Sequence, residues 1–167
     1  NMNLREKHGY TYGAFSAVTQ RRGVGPVYAG ASVKTDVTGA SVVESLKEMR
    51  GMLSAEVTPD ELKLAKESLG RSLPALFETT ESTVGTIGSL YLFDLPPDYY
   101  QGLPARLDAM TAADVHAATK QHLRPDDMIL TAVGDRRAIE PQLSKLNLGR
   151  ITYRTADGGE PSVARVP

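Results

Sequence analysis

The residues best suited to chemistry lie near the start of the chain, where Arg5 precedes Tyr12 by seven positions. An arginine presents a fixed fork of N–H donors, and a tyrosine hydroxyl can donate to an oxygen on which negative charge develops. Gly9 lies between them and can take the left-handed conformation that ends a helix. Period-two alternation places Tyr10 on the same strand face as Tyr12. On the residues alone, an arginine paired with a carboxylate beside ordinary strand tyrosines is the simpler interpretation, and both interpretations stay open.

Other catalytic or metal-binding patterns are missing from the sequence. The only histidines are His8, His116 and His122, and no cysteine is present. His116 and His122 are about 600° apart around a helix, so they point to different sides and cannot form a zinc pair. The glycines near Val24 precede a strand, whereas a phosphate-binding loop precedes a helix. The chain alone is therefore expected to hold no metal and to be no enzyme.

Composition excludes further classes of function. The chain has 167 residues, a net charge of −1 and 6% aromatic residues, so it lacks the basic surface expected of a nucleic-acid-binding protein. Its longest uncharged stretch, residues 8–20, is shorter than the roughly 20 residues of a membrane-spanning helix. No membrane insertion is expected. No basic-then-apolar leader is seen in the sequence as given.

Hydrophobic periodicity and turn residues predict an α+β fold within one domain, residues 1–154, followed by a flexible tail, residues 155–167. The opening residues resemble the end of a helix without its beginning, which favours a fragment of a larger protein. A hairpin follows, then several helices, of which two begin at Thr58 and Thr111. The continuous apolar run from Met128 to Val133 predicts a fully buried strand. The predicted strands are 10–19, 27–35, 128–133 and a short 151–154, and the last predicted helix is 136–146.

Taken together, several motifs resemble the C-terminal, non-zinc half-domain of the M16 (pitrilysin/insulinase-like) zinc peptidases, closest to the bacterial processing-peptidase-like members. The resemblance runs from Leu4 to Leu146. The motifs that carry it are Leu4-Arg5-Glu6-Lys7-x-Gly9-x-x-Tyr12, Thr58-x-x-Glu61-Leu62-x-x-Ala65-Lys66, Asp98-Tyr99-Tyr100, Thr111-x-x-Asp114-Val115, Leu123-x-Pro125-Asp126 and Ala132-Val133-Gly134-Asp135.

This resemblance implies an antiparallel sheet packed against helices on one side, in a half-domain that lacks its first elements. It also implies a homologous zinc-bearing partner domain, on the same chain or on a separate subunit. The partner's H-x-x-E-H helix would hold the zinc, and the two domains would enclose a peptide substrate in a chamber. Arg5 and Tyr12 then match the family's substrate-binding pair, with Tyr12 stabilising the oxyanion. No metal ligand is implied for this chain.

Two other functions remain as alternatives. One is a structural, non-proteolytic M16-like subunit, and the other is an independent α+β domain that binds a small molecule. The retained Arg5 and Tyr12 favour the peptidase, and the third interpretation lacks a pocket motif. The periplasm and the cytoplasm of a bacterium are both compatible with the sequence, the periplasm being slightly favoured. Uncovered sheet edges in a truncated domain also predict self-association.

Overall fold

An antiparallel hairpin near the start of the chain is the only sheet among residues 1–160, which are the residues that the computed structural model describes. Strand β1 spans Thr11–Val18 and β2 spans Val27–Val33. Small and β-branched side chains favour both strands, and the residues around Pro26 form the turn that the sequence predicts. A register shift between Thr11 and Ala14 introduces a bulge at the start of β1. The predicted hairpin is confirmed, with slightly shorter strands.

A short π-helix, Met2–Lys7, precedes the hairpin and packs against both β1 and the first α-helix. Gly9 follows it with a φ of +62°, the left-handed conformation that the sequence predicts at this helix end. The remaining elements are α1 (Thr38–Ser54), α2 (Pro59–Ser72), α3 (Thr80–Leu92), α4 (Tyr99–Ala109), α5 (Ala112–His122) and α6 (Arg136–Ser144), with 3₁₀ turns at Thr35–Val37, Pro74–Phe77 and Pro125–Asp127.

Side-chain caps fix the beginnings of three helices. Thr58, Thr79 and Thr111 each accept a hydrogen bond from the backbone N–H three residues later, and the side chain at that position accepts one from the threonine N–H. These reciprocal bonds hold the pKa of Glu61 and of Asp114 below their ordinary values. Asp98 occupies the N-cap position of α4 without a capping hydrogen bond.

Helix α1 contacts the π-helix, α5 and α6, whereas α2 contacts α4. The Gln142 amide links α6 to this region, because its Oε1 accepts from the Gly39 N–H at 3.0 Å and its Nε2 donates to the Thr35 carbonyl at 2.8 Å. His116 is half-buried, with Nε2 at 3.0 Å from the Leu53 carbonyl oxygen. Leu4 and Ile139 are the buried hydrophobic residues of the described chain. The core is therefore small.

The predicted buried strand at 128–133 is wrong for the described structure. The segment pairs with no other strand, and Ile129 and Val133 are 93% and 96% exposed. Its apolar β-branched residues favour an extended backbone, but a strand also needs a neighbouring strand to satisfy its backbone groups. Residues 151–154, predicted as a short strand, likewise form no ladder. Of the predicted tail, residues 161–167 lie outside the described residues.

None of the helices described in residues 1–160 has the length and apolar character needed to cross a membrane. The α+β class predicted from the sequence is confirmed, with a two-stranded antiparallel sheet and a helical layer.

Candidate functional site

Backbone hydrogen bonds hold the π-helix beside the start of β1, and this contact brings the elements that carry Arg5 and Tyr12 together. The Gly9 N–H donates to the Arg5 carbonyl at 2.9 Å, and the Tyr10 N–H donates to the Leu4 carbonyl at 2.8 Å. At the other end of the π-helix, the Asn1 Oδ1 accepts from the Ala14 N–H at 2.7 Å. Arg5 and Tyr12 thus lie on two packed elements joined by the Gly9 turn.

Both candidate side chains face solvent. Tyr12 is 97% exposed, and the Arg5 side chain is 53% exposed. The Arg5 Nε lies 3.4 Å from the Glu6 Oε1, a surface ion pair of small energetic value. The described residues make no hydrogen bond between Arg5 and Tyr12. Both groups are therefore free to contact a ligand that approaches this surface.

The β1 bulge distinguishes the two tyrosines that the sequence places on one face. Thr11 is buried, and its hydroxyl lies 2.6 Å from the Ser32 carbonyl oxygen and 3.1 Å from the Gly13 amide nitrogen, which donates to it. This bond network interrupts the alternation at Tyr12 and Gly13. Tyr10 lies before the strand and stacks on His8 with ring centroids 4.9 Å apart. Tyr12 is the fully solvent-facing tyrosine of the pair.

The sequence analysis did not predict a polar cluster that lies between the π-helix and α1. The Asn3 Nδ2 donates to the Glu44 Oε2 at 2.8 Å and to the Glu48 Oε1 at 2.6 Å. The hydrogen bond from Asn3 is the main cause that lowers the pKa of Glu44, with smaller contributions from Lys47 and His8. The four-residue spacing, which places Glu44 and Glu48 on one helix face, was the sequence signal that could have indicated this cluster.

This cluster fixes the position of the π-helix, and therefore of Arg5. Because its pKa is lowered, Glu44 is ionised at neutral pH and accepts hydrogen bonds as a carboxylate. Two buried atoms in the same region, the Asn3 Oδ1 and the His8 Nε2, have no hydrogen-bond partner among the described residues. The His8 Nε2 lies 3.8 Å from the Glu44 Oε2, so a protonated His8 would form an ion pair with it.

Among residues 1–160, no group of three or more His, Asp or Glu side chains is arranged to hold a metal ion. Arg5 and Tyr12 are not among the Cys, His, Asp and Glu side chains that usually bind zinc. Arg5 and Tyr12 can both donate hydrogen bonds to an oxygen-bearing ligand.

A surface crevice of about 640 Å³ lies at the opposite, turn end of the hairpin. The Arg22 Nη2 bonds the Asp94 Oδ2 at 2.5 Å across it and ties the turn to the α3–α4 connection. Arg5 and Tyr12 do not line this crevice. It is a separate feature of the surface.

Comparisons with known proteins agree with the motifs that the sequence carries. The family model described as the peptidase M16 inactive domain matches residues 1–69, which include the candidate site. A crystal structure of a peptidase M16 inactive domain from Pseudomonas fluorescens is similar with a TM-score of 0.67 and 24% identity over 74% of this chain. The chain spans 29% of that chain's length. A comparison with curated proteins finds no match.

Proposed function

We propose that this chain is an M16 inactive domain, as its family match over residues 1–69 and its fold support, and that it forms the substrate-binding, non-zinc half of a zinc-dependent metalloendopeptidase. The observation that carries the proposal is the placement of Arg5 and Tyr12. They lie on two packed elements, both side chains face solvent, and no metal cluster accompanies them in residues 1–160. This arrangement can bind and polarise a substrate. The zinc of the proposed peptidase would have to be held by another domain.

The zinc is proposed to belong to a homologous partner domain, on the same polypeptide or on a separate subunit. When bound there, zinc would act as a Lewis acid toward the scissile carbonyl and activate water. The residues of this chain would act on the same peptide from the opposite side of a closed chamber. The Tyr12 hydroxyl donates to the scissile carbonyl oxygen as negative charge develops, and the Arg5 guanidinium holds a backbone carbonyl of the substrate.

The rigid attachment of the π-helix supports this assignment of roles. A donor stabilises a developing charge only if it is already oriented before the reaction. The Asn3–Glu44–Glu48 cluster and the buried Leu4 hold the π-helix on α1, and the Thr11 hydroxyl fixes the bulge that carries Tyr12. Both candidate side chains therefore extend from anchored backbone.

The first prediction concerns the chain by itself. We expect the isolated 167-residue chain to retain no stoichiometric zinc after dialysis and to hydrolyse no fluorogenic peptide, because the residues at its candidate site are donors. Metal analysis and a fluorescence assay check this, with the zinc-bearing partner chain as the positive control for zinc content and the two chains together as the positive control for hydrolysis. One equivalent of zinc that survives dialysis, or metal-dependent hydrolysis by this chain alone, would contradict the proposal.

The second prediction separates binding from chemistry at Arg5. In the assembled peptidase, Arg5→Ala should raise KM, because the variant loses a charge-assisted contact with the substrate. Arg5→Lys keeps the charge and loses the planar fork, so it should rescue KM only in part. Arg71→Ala is the matched control, since Arg71 pairs with Glu67 on the surface of α2. An unchanged KM in Arg5→Ala would remove Arg5 from the site.

A further inference from the structure

The end of the π-helix carries a histidine whose ring is largely enclosed by its neighbours. The His8 side chain is 24% exposed, and its Nε2 atom is buried without a hydrogen-bond partner among residues 1–160. The ring stacks on Tyr10, which lies just before β1. In a neutral imidazole Nε2 carries either an N–H or a lone pair, and here either one is left unsatisfied. A buried polar atom without a partner costs stability, so a partner that engages under other conditions is to be looked for.

The nearest carboxylate to this nitrogen is that of Glu44 on α1. The Glu44 Oε2 lies 3.8 Å from the His8 Nε2, and the Glu44 side chain is 18% exposed. Hydrogen bonds between a charged nitrogen and a carboxylate are about 2.8 Å long, so the two atoms are about 1 Å too far apart for one. Protonation of His8 gives the ring a positive charge and two N–H donors, and both changes favour closing that gap.

The surroundings of the His8 Nε2 are formed by this chain itself. The Nε2 atom and the Asn3 Oδ1 of the same helix are both already buried by the described residues. A side chain from another domain therefore cannot reach them unless this region opens. Glu44 is also held in place, because its Oε2 accepts a hydrogen bond from the Asn3 Nδ2 at 2.8 Å. The contact between His8 and Glu44 is thus determined within this chain, whatever lies elsewhere in the assembled protein.

Other charged groups surround the pair on both packed elements. Lys7 on the π-helix acts on Glu44, and the Lys47 Nζ on α1 lies 3.7 Å from the Glu44 Oε2. Glu48, one turn further along α1, accepts a hydrogen bond from the π-helix. These two lysines and two carboxylates keep their charges near neutral pH. A histidine is the side chain that ordinarily changes its charge between pH 5 and 8, so His8 is the group here that can respond to pH.

The direction of the response follows from the charge of Glu44. The hydrogen bond from Asn3 is the main cause that lowers the pKa of Glu44, so this carboxylate is ionised at pH 6 and above. As the pH falls from 8.5 to 6, His8 gains a charge opposite an ionised carboxylate, and their contact strengthens. As the pH rises again, that charge is lost and Nε2 is left unsatisfied. The contact therefore holds the π-helix more tightly at the lower pH.

We propose that His8 and Glu44 form a pH-sensitive ion pair, made when His8 is protonated, that attaches the end of the π-helix to α1. Arg5 lies on the same helix, three residues before His8. The pair therefore makes the position of the Arg5 side chain depend on pH. This consequence for substrate binding rests on the proposed function, whereas the ion pair itself does not.

Hydrogen–deuterium exchange of the full chain at pH 6 and at pH 8.5 tests the pair at the backbone. The amides of His8, Gly9 and Tyr10 donate to carbonyls of the π-helix, so their exchange reports its opening. His8→Phe keeps a ring that can stack on Tyr10 but cannot carry a charge. We expect this variant to exchange these amides about two- to five-fold faster than the parent at pH 6, the effect of one partly exposed ion pair, and equally fast at pH 8.5.

Two further variants identify the partner of His8. In a Glu44→Gln background, His8→Phe should have no additional effect at pH 6, because the residue opposite has already lost its charge. His122→Phe is the matched control, since His122 is exposed at the end of α5, and it should leave these amides unchanged at both pH values. The proposal is overturned if His8→Phe has the same effect at both pH values, has none at either, or acts at pH 6 regardless of Glu44.

Kinetics of the assembled peptidase test the consequence for Arg5. The KM of His8→Phe is expected to exceed that of the parent by up to about five-fold at pH 6 and to equal it at pH 8.5, with kcat changed less than KM. If Arg5→Ala raises KM while His8→Phe leaves it unchanged at both pH values, the link from the ion pair to Arg5 is wrong. If Arg5→Ala itself leaves KM unchanged, the proposed role of Arg5 is wrong, and the exchange result decides on the ion pair alone.

Discussion

Tyr12→Phe is expected to lower kcat of the assembled peptidase by about 10²–10³-fold, the usual cost of removing one donor to a developing oxyanion. The phenyl ring keeps the shape of the side chain, and Tyr12 is 97% exposed, so the fold loses no buried contact. Zinc content and the midpoint of urea unfolding should stay unchanged. Steady-state kinetics with a fluorogenic peptide, beside metal analysis and denaturation of the same samples, measure all three quantities.

Tyr10→Phe is the matched control for this experiment. Tyr10 stacks on His8 instead of facing solvent, so its hydroxyl is not expected to reach the substrate. Its variant should keep kcat within a few-fold of the parent. If Tyr10→Phe loses activity and Tyr12→Phe does not, the donor has been assigned to the wrong tyrosine. If both keep full activity, the chain contributes shape alone, as the structural-subunit alternative requires.

Leu4→Ala is expected to destabilise the chain by about 2–5 kcal/mol, the range for removing a buried leucine side chain. Leu4 is 6% exposed and is the buried anchor of the π-helix. Its loss should also loosen Arg5, the next residue, so KM of the assembled enzyme should rise with the loss of stability. Urea denaturation followed by circular dichroism gives the free energy of unfolding.

Leu64→Ala is the matched control, because it removes the same atoms from a side chain in α2 that is 70% exposed. Its effect on stability should stay within about 0.5 kcal/mol, as for other surface substitutions. Equal midpoints for the two variants would mean that the π-helix is not anchored through Leu4.

Local signals in the sequence were sufficient to predict most of the elements. The helix starts at Thr58 and Thr111 and the left-handed Gly9 follow from the chemistry of one or a few neighbouring residues. The hairpin follows from two apolar runs around a glycine- and proline-containing turn. Such features depend little on distant parts of the chain, and the structure confirms them.

Features that depend on distant partners were predicted less well. The apolar run 128–133 has the composition of a buried strand, but burial requires a neighbouring strand, and the described residues provide none. The bulge that separates Tyr10 from Tyr12 depends on the contact of the Thr11 hydroxyl with Ser32, 21 residues away in sequence. The alternation of side chains along a strand could not predict this bulge. The attachment of Asn3 to Glu44 is likewise a tertiary contact.

The family match and the motif resemblance overlap at the candidate site but differ in extent. The motifs extend from Leu4 to Leu146, whereas the family model matches residues 1–69. The similarity of fold covers 74% of the chain and links the later helices to the same architecture. Arg5 and Tyr12 lie in the part of the chain where the family match and the site geometry coincide.

Complementation of peptide hydrolysis is the most direct test of the proposal that a partner domain holds the zinc and this chain binds the substrate. A zinc-bearing M16 chain from the same genome, or the zinc domain of the same polypeptide, is assayed on a fluorogenic peptide with and without this chain, and with its Tyr12→Phe variant. The proposal predicts hydrolysis only when the parent chain is present, and a loss of about 10²–10³-fold with the variant. Full hydrolysis by the zinc-bearing domain alone, unchanged by adding either form of this chain, would contradict it.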